Sequence, residues 1–250
     1  MQVLPGTTGR RRIYLMRHGH VDYFSPEVIA SGNFEGVPLT ALGRDQAKAA
    51  GQALAHVPFD RVICSGLNRT RQTAEITIFN HELNPKLNVE IERGLVELKG
   101  STNGPPMTRD KLGAALAFQF DGAAEPDARF GLGTNGEVFA DALARGSSCI
   151  ERLLQQPDWA AILVVAHEGI NRLILGWMTG AGLRGVQAFE QDTACVNILD
   201  FDMVPRADGQ GVEITRKVIK ALNLTPYNWS KFGMNMTSLE RIMAPVDDHH

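Results

Sequence analysis

The sequence predicts a three-layer α/β/α fold, with a mostly parallel central sheet, helices on both faces and a helical lid insertion. Three observations lead there. Apolar runs at 13–16, 61–64 and 161–166 have strand length. The segments between them carry apolar residues at helical spacing. The run from Ala161 to Ala166 is apolar without interruption, as in a strand buried on both faces. At 250 residues the chain is long enough for one sizeable core, and one domain spanning 1–250 is expected.

Residues 13–16, with Ile and Tyr, read as a strand that stops at Arg17-His18-Gly19. Residues 20–37 lack periodicity and hold Pro26, Gly32 and Gly36. They read as a loop, long enough to suspect function. Leu39, Leu42, Ala50, Leu54 and Val57 then recur at helical spacing, with Thr40 as N-cap and Pro58 as the stop. A second strand covers 61–64. Asn68 can cap a helix running to about Phe79, and 88–91 reads as a third strand.

Residues 100–133 differ in character. They hold Gly104, Pro105 and Pro106 and predict a helix over 108–120. This segment reads as a lid over the sheet, not a second domain. Thr134 and Glu137 have capping-box spacing ahead of a helix through Phe139, Leu143, Ile150 and Leu154. The central strand 161–166 ends at His167-Glu168-Gly169. Beyond it lies a helix through Ile170, Leu173, Ile174 and Trp177, stopped by Gly180 and Gly182. Runs at 196–201 and 212–218 predict an antiparallel pair around Asp208-Gly209. The tail, 223–250, carries Trp229, Phe232, Met234 and Met236. It is expected to fold back on the body, as core or as the surface of a homodimer.

Composition excludes several classes. Hydrophobic residues at 44% and charged residues at 21% are a globular balance, without a disorder signature. A net charge of −3 favours neither a nucleic-acid nor a membrane partner. Affinity for anions must come from a local basic cluster. Cys64, Cys149 and Cys195 are odd in number and lack metal-ligand spacing, so small core residues are expected. The first twelve residues are basic, with no apolar run after them long enough for a signal peptide. No run approaches the roughly 20 apolar residues of a membrane span. A cytoplasmic protein is expected.

The residues that can carry chemistry stand just past the strand ends. The first strand ends in Arg17-His18, the second leads into Ser65, Leu67 and Arg69, and the run 161–166 ends in His167. In layered sheets, ligands bind beyond the carboxyl ends of strands. If these strands are neighbours, two arginines and two histidines converge there, which suits a dianionic phosphoryl group. Arg69 also sits in the first turn of its helix, where a cation is disfavoured by up to about 1 kcal/mol. A bound anion would reverse that sign. Attack by His18 needs neutral imidazole. Arg17, Arg69 and a protonated His167 would each push its pKa down. The leaving alkoxide needs a proton, and Glu97, after the third strand, is the candidate acid.

These motifs resemble the histidine phosphatase superfamily, which also contains the cofactor-dependent phosphoglycerate mutases. The resemblance runs from Ile13 to about Asn197. It rests on Arg17-His18-Gly19; on Pro38-Leu39-Thr40 with Gly43, Gln46 and Ala47; on Ser65, Leu67, Arg69, Thr73 and Ala74; and on Ala166-His167-Glu168-Gly169. It implies a phosphatase acting on a small phosphorylated substrate. His18 would be the residue phosphorylated, Arg17, Arg69 and His167 would hold the phosphate, and Glu97 would match the proton donor. No metal or other cofactor is implied. The sequence departs from the family pattern after Glu97, where Lys99, Gly100 and Ser101 stand. It departs again at His20, in place of the usual Glu, and at Phe24, near the place of a family Asn for which Asn33 is the substitute candidate.

Other readings stay open. One is a mutase passing the phosphoryl group between hydroxyls, and another is a non-catalytic phospho-ligand binding protein. A metal hydrolase built on His18, His20 and His167 is disfavoured, because Arg17 and Arg69 would repel a divalent cation. His20 and His81 read as satisfied or solvated histidines, Arg71 as an exposed helix residue, and Arg109, Lys111 and Arg129 as solvated charges of the insertion.

Overall fold

The apolar runs pair into one sheet. The computed structural model describes residues 9–23, 25–31, 33, 35–79, 81, 83, 87–101, 103–104 and 118–232. Its strands are β1 (Gly9–Arg17), β2 (Arg61–Cys64), β3 (Val89–Ile91), β4 (Ala161–Ala166), β5 (Val196–Pro205) and β6 (Val212–Leu224). Their spatial order is β3-β2-β4-β1-β5-β6. The first three neighbour pairs in that order are parallel. β5 runs antiparallel to β1, and β6 antiparallel to β5.

Side-chain alternation produces the layers. Ile13 and Leu15 of β1 join a core with Ile162, Val164 and Ala166 of β4. Tyr14 and Met16 point the other way, into a core with Leu163 and Val165. Every residue of β4 is buried, which explains its unbroken apolar run. The first core is covered by helix α4 (Phe139–Gln155), through Cys149, Ile150, Leu153 and Leu154, and by α5 (Glu168–Thr179), through Ile170, Leu173 and Ile174. The second is covered by α2 (Ala41–Leu54), through Ala50 and Leu54, and by α3 (Asn68–Ile78), through Ala74. All three cysteines are free and buried.

Charge also sets register. Arg12 lies opposite Asp200 and Arg10 opposite Asp202. Arg12 Nε is 2.6 Å from Asp200 and Arg10 Nε 2.7 Å from Asp202. Both aspartates are buried, so a one-residue slip would separate them from the arginines that face them across β1 and β5.

Several expectations are corrected locally. The loop 20–37 contains a short helix, α1 (Pro26–Ser31), begun by a proline whose fixed φ suits the first helical position. The N-cap of α3 is Leu67, with no side-chain cap bond. Asn68 instead donates to the carbonyl of Gly36 at 2.9 Å. The capping box at Thr134 and Glu137 does not form. α4 begins at Phe139, and Glu137 accepts a fork from Arg145 at 2.9 and 3.0 Å. Charge-assisted pairing of that kind outcompetes a backbone cap. The predicted lid helix over 108–120 falls mostly outside the described residues, and Phe118 to Phe120 form a turn.

The tail is divided. Trp229 and Phe232 are 84% and 87% exposed, against the expectation that they pack down. Met234 and Met236 lie outside the described residues. Tyr227 and Lys231 do dock on the body. Thr40 caps α2 as expected, accepting from Gly43 N at 3.1 Å. Gly180 ends α5 at φ +75°. Among the described residues, no helix is long and apolar enough to cross a membrane.

One close approach matters to the site. Thr40 N donates to the carbonyl of His20 at 3.1 Å, so the start of α2 lies against the chain just after His18. A Cβ on Gly43 would overlap His20 O, and one on Gly19 would overlap Gly43 O. Neither backbone can yield cheaply. Gly43→Ala should therefore cost about 1–3 kcal/mol of stability, seen as a lowered thermal midpoint.

Candidate active site

The parallel register brings the strand ends together. Arg17 is the last residue of β1 and pairs with Ala166, while Cys64 pairs with Val165. The residues just beyond them converge. His18 N donates to Ala166 O at 3.1 Å and Ser65 N to Val165 O at 3.2 Å. The His18 and His167 rings stand 5.2 Å apart, edge to face. Arg69 sits in the first turn of α3, close enough that its charge depresses the pKa of both histidines. Arg17, His18, Arg69 and His167 are all buried. The convergence expected from the sequence is present.

Hydrogen bonds assign the protons. His18 Nδ1 lies 2.8 Å from the carbonyl of Gly19. A carbonyl only accepts, so Nδ1 carries the hydrogen and Nε2 keeps its lone pair. Burial, then Arg69 and Arg17, hold the His18 pKa well below its ordinary value. The ring is neutral near pH 7.

His167 is fixed the opposite way. Thr70 Oγ1 donates to Leu67 O at 2.8 Å, so it accepts from Ser65 Oγ at 2.9 Å. Ser65 has then spent its one proton and must accept from His167 Nε2 at 2.8 Å. The remaining nitrogen, Nδ1, is buried and has no hydrogen-bond partner among the described residues. Burial, Arg69, His18 and Arg17 hold the His167 pKa well down. His167 is therefore neutral, and the protonated form expected from the sequence is corrected. Burial, more than a second imidazolium, keeps His18 neutral.

Glu97 lies just past a 3-10 turn (Arg93–Leu95) that succeeds β3. Its Oε1 accepts from Leu98 N at 3.0 Å and Ile170 N at 3.1 Å, and its Oε2 from Gly169 N at 3.1 Å. It thus caps the amino end of α5 beside His167. A Cβ at Gly169 would press within 2.7 Å of Glu97 Oε1, so glycine gives the carboxylate its seat. Burial raises the Glu97 pKa, and Glu168 adds to that, against the three amides that lower it.

Three features escaped the sequence. Glu168 Oε2 lies 3.0 Å from Arg17, while its Oε1 holds Arg172 at 2.8 Å. Tyr23 lies beneath Arg69, ring centroid 5.6 Å from the guanidinium carbon. The loop before β5 binds Arg17 and His18 through its backbone. Glu168 stood next to His167 in the motif, and its sign opposite Arg17 was the available signal. Nothing local marks the other two.

Other candidates lie elsewhere. His20 Nδ1 bonds Thr40 at 2.9 Å and His81 Nε2 bonds Val57 O at 2.7 Å, so both are satisfied histidines. Asn33 is exposed and accepts from Gly36 N in a local turn. Arg71 is exposed, and Arg129 donates to Gly136 O. Phe24, Arg109 and Lys111 lie outside the described residues. Among the described residues, no cluster of three His, Cys, Asp or Glu could hold a metal ion.

The family model of the histidine phosphatase superfamily (branch 1) matches residues 13–205. The chain belongs to that superfamily. Arg17, His18, Arg69, Glu97 and His167 all lie within the matched span, whereas β6 and the tail lie beyond it. Among superfamily members, the adenosylcobalamin/alpha-ribazole phosphatase of Salmonella typhimurium is 29% identical over 197 residues, 76% of this chain and 90% of that protein. The 2-carboxy-D-arabinitol-1-phosphatase of Triticum aestivum is 27% identical over 230 residues, covering 89% of this chain but 42% of that longer protein. The crystal structure of the alpha-ribazole phosphatase from Shigella flexneri superposes with a TM-score of 0.60 at 25% identity, covering 85% of this chain and 96% of that one.

The two buried imidazoles of this superfamily member make stability depend on pH. Each has a folded pKa below its unfolded value, so the unfolded chain binds more protons on acidification. Their contribution is complete above the unfolded value, about 6.5, and is lost as pH falls below it. The thermal midpoint should drop across that window, and His167→Gln should flatten the slope.

Proposed function

We propose that this protein hydrolyses phosphate monoesters of small molecules through a phosphohistidine formed on Nε2 of His18. The observation that carries this reading is the tautomer: a buried, neutral imidazole whose free lone pair stands among Arg17, Arg69 and His167. The named relatives, all phosphatases, support the same reaction class.

In the first step His18 Nε2 forms a bond to phosphorus, and the ester P–O bond breaks. The electron pair leaves with the substrate oxygen, which takes a proton from Glu97. The hydrogen on Nδ1 stays donated to Gly19 O and supports the positive ring. Arg17 and Arg69 hold the equatorial oxygens, where their planar forks match the charge that develops. His167 Nδ1 has a lone pair and no partner among the described residues. A dianionic phosphoryl group draws a proton onto it and turns it into a further donor. In the second step water attacks phosphorus and gives its proton to Glu97, while the N–P bond pair returns to His18. We assign leaving-group selectivity to the lid segment, 100–133. In support, Phe120 lies 4.5 Å from the Arg172 guanidinium carbon, and Arg172 holds Glu168 beside Arg17.

His18→Ala should show neither an acid-labile phosphoenzyme nor turnover; normal turnover would refute the assignment. Arg69→Ala should lose about 3 kcal/mol of transition-state stabilisation, measured as kcat/KM. Catalysis needs His18 unprotonated and Glu97 protonated. Their pKa values lie below the ordinary 6.5 and above the ordinary 4.5 respectively. The pH profile should be a bell with its maximum on the acid side of neutrality. Glu97→Gln should cost alkyl phosphates roughly 10²–10⁴-fold in rate. It should cost 4-nitrophenyl phosphate much less, because nitrophenolate leaves without a proton. Equal losses for both esters would remove Glu97 from the donor role.

A further inference from the structure

The loop Gln191, Asp192, Thr193, Ala194 and Cys195, just before β5, is built around the two residues that begin the site. Arg17 donates from Nη1 to Gln191 O. Arg17 N donates to Cys195 O at 3.0 Å, and Ala194 N donates to His18 O at 3.0 Å. One short loop therefore holds Arg17 by its backbone and its guanidinium, and His18 by its carbonyl.

Inside the loop Cys195 N donates to Asp192 O at 3.1 Å, and Asn197 of β5 donates to Gln191 Oε1 at 2.7 Å, but these bonds leave the Asp192 carboxylate and the Thr193 carbonyl to other partners. Ala194 is fully buried and has φ +55°, a left-handed conformation that a residue with a Cβ keeps only when its surroundings impose it. Asp192 is buried too, and its carboxylate needs a partner.

The partners come from the end of the described chain. Asn223 Oδ1 accepts from Asp192 N at 2.8 Å, and its Nδ2 donates to Asp192 Oδ2 at 3.2 Å. Tyr227 Oη donates to Thr193 O at 2.8 Å. Lys231 Nζ forms an ion pair with Asp192 Oδ2. All three residues lie beyond the span matched by the superfamily model. Asn223 also tolerates its own φ of +49°, as asparagine does better than most residues. The aromatic residues between and after these anchors, Trp229 and Phe232, face outward, so the anchoring is polar.

We infer that Asn223, Tyr227 and Lys231 form a brace that positions Arg17 and His18 through the 191–195 loop, making the C-terminal segment part of the phosphate-binding apparatus. The brace stands behind the site and touches no substrate; its members are positioning residues. The inference rests on the phosphohistidine reading, and its test must separate the two.

Orthovanadate binding and 4-nitrophenyl phosphate hydrolysis are measured on the full chain and on Tyr227→Phe, Lys231→Met, Lys231→Arg and Trp229→Ser, at a temperature where each is fully folded. Misplacing a binding group by a fraction of an ångström acts on a scale of tenfold to roughly a hundredfold. Lys231→Met and Tyr227→Phe should each weaken orthovanadate binding about tenfold and raise KM more than they lower kcat. Lys231→Arg, which keeps the ion pair, should restore the wild-type values. Trp229→Ser, exposed in the same segment, should behave as wild type. Lys231→Met and Tyr227→Phe proteins that bind and turn over like wild type, even with a lowered thermal midpoint, would overturn the brace and leave the phosphohistidine reading standing. Failure of the wild type to bind orthovanadate or to hydrolyse the ester would overturn both.

Discussion

Where β1, β4 and β2 end, the parallel register sets Arg17 beside Ala166 and Cys64 beside Val165. Everything else at the site depends on that alignment. Each strand contributes the residue just past its last ladder bond, so three short segments far apart in the chain meet within one side-chain length. Burial on both faces of β4 locks that strand into the middle of the sheet, between β1 and β2. The arginine–aspartate ladder between β1 and β5 adds a second lock. It is electrostatic where the first is apolar.

Burial then does the chemical work that position alone cannot. A histidine in water near neutrality divides between two charge states and two tautomers. Inside this site, desolvation and two guanidinium groups leave one charge state, and the carbonyl of Gly19 leaves one tautomer. The neighbouring histidine is selected into the other tautomer by a relay through Ser65 and Thr70 that ends on a backbone carbonyl. Two identical side chains, 5.2 Å apart, therefore present different nitrogens for different tasks. The distinction comes from what each ring's second nitrogen touches.

How much of this was legible depended on the range of the interaction. β2 and β4 were read at their true limits, because a strand buried on both faces writes its burial into consecutive residues. β5 and β6 extend past the predicted runs, beyond interruptions such as Asp202 and Lys220, and Asp202 finds its partners, Arg10 and Arg216, across the sheet. Arg17, His18, Arg69 and His167 were legible as residues placed after strands. Their proton states were not. His167 was expected charged, and it is neutral because burial, with Arg69 and Arg17 beside it, disfavours its protonated form. The helix starts at α3 and α4 were misread for one reason. Asn68 and Glu137 have the chemistry of caps, but each is claimed by a more distant partner, Gly36 and Arg145. The exposed Trp229 and Phe232 show the reverse error: apolar character without a place in the core.

The seat of Glu97 has a mechanical meaning. Its two oxygens are the cap of α5, so its proton and the first turn of that helix share one free energy. Adding the proton loosens the grip on Gly169 and Ile170, and removing it tightens that grip. Conversely, any strain that draws α5 away makes the carboxyl a weaker acid. Because α5 packs directly on the sheet and on α4, the proton affinity of one side chain is readable by the whole face of the molecule that lies over the first core.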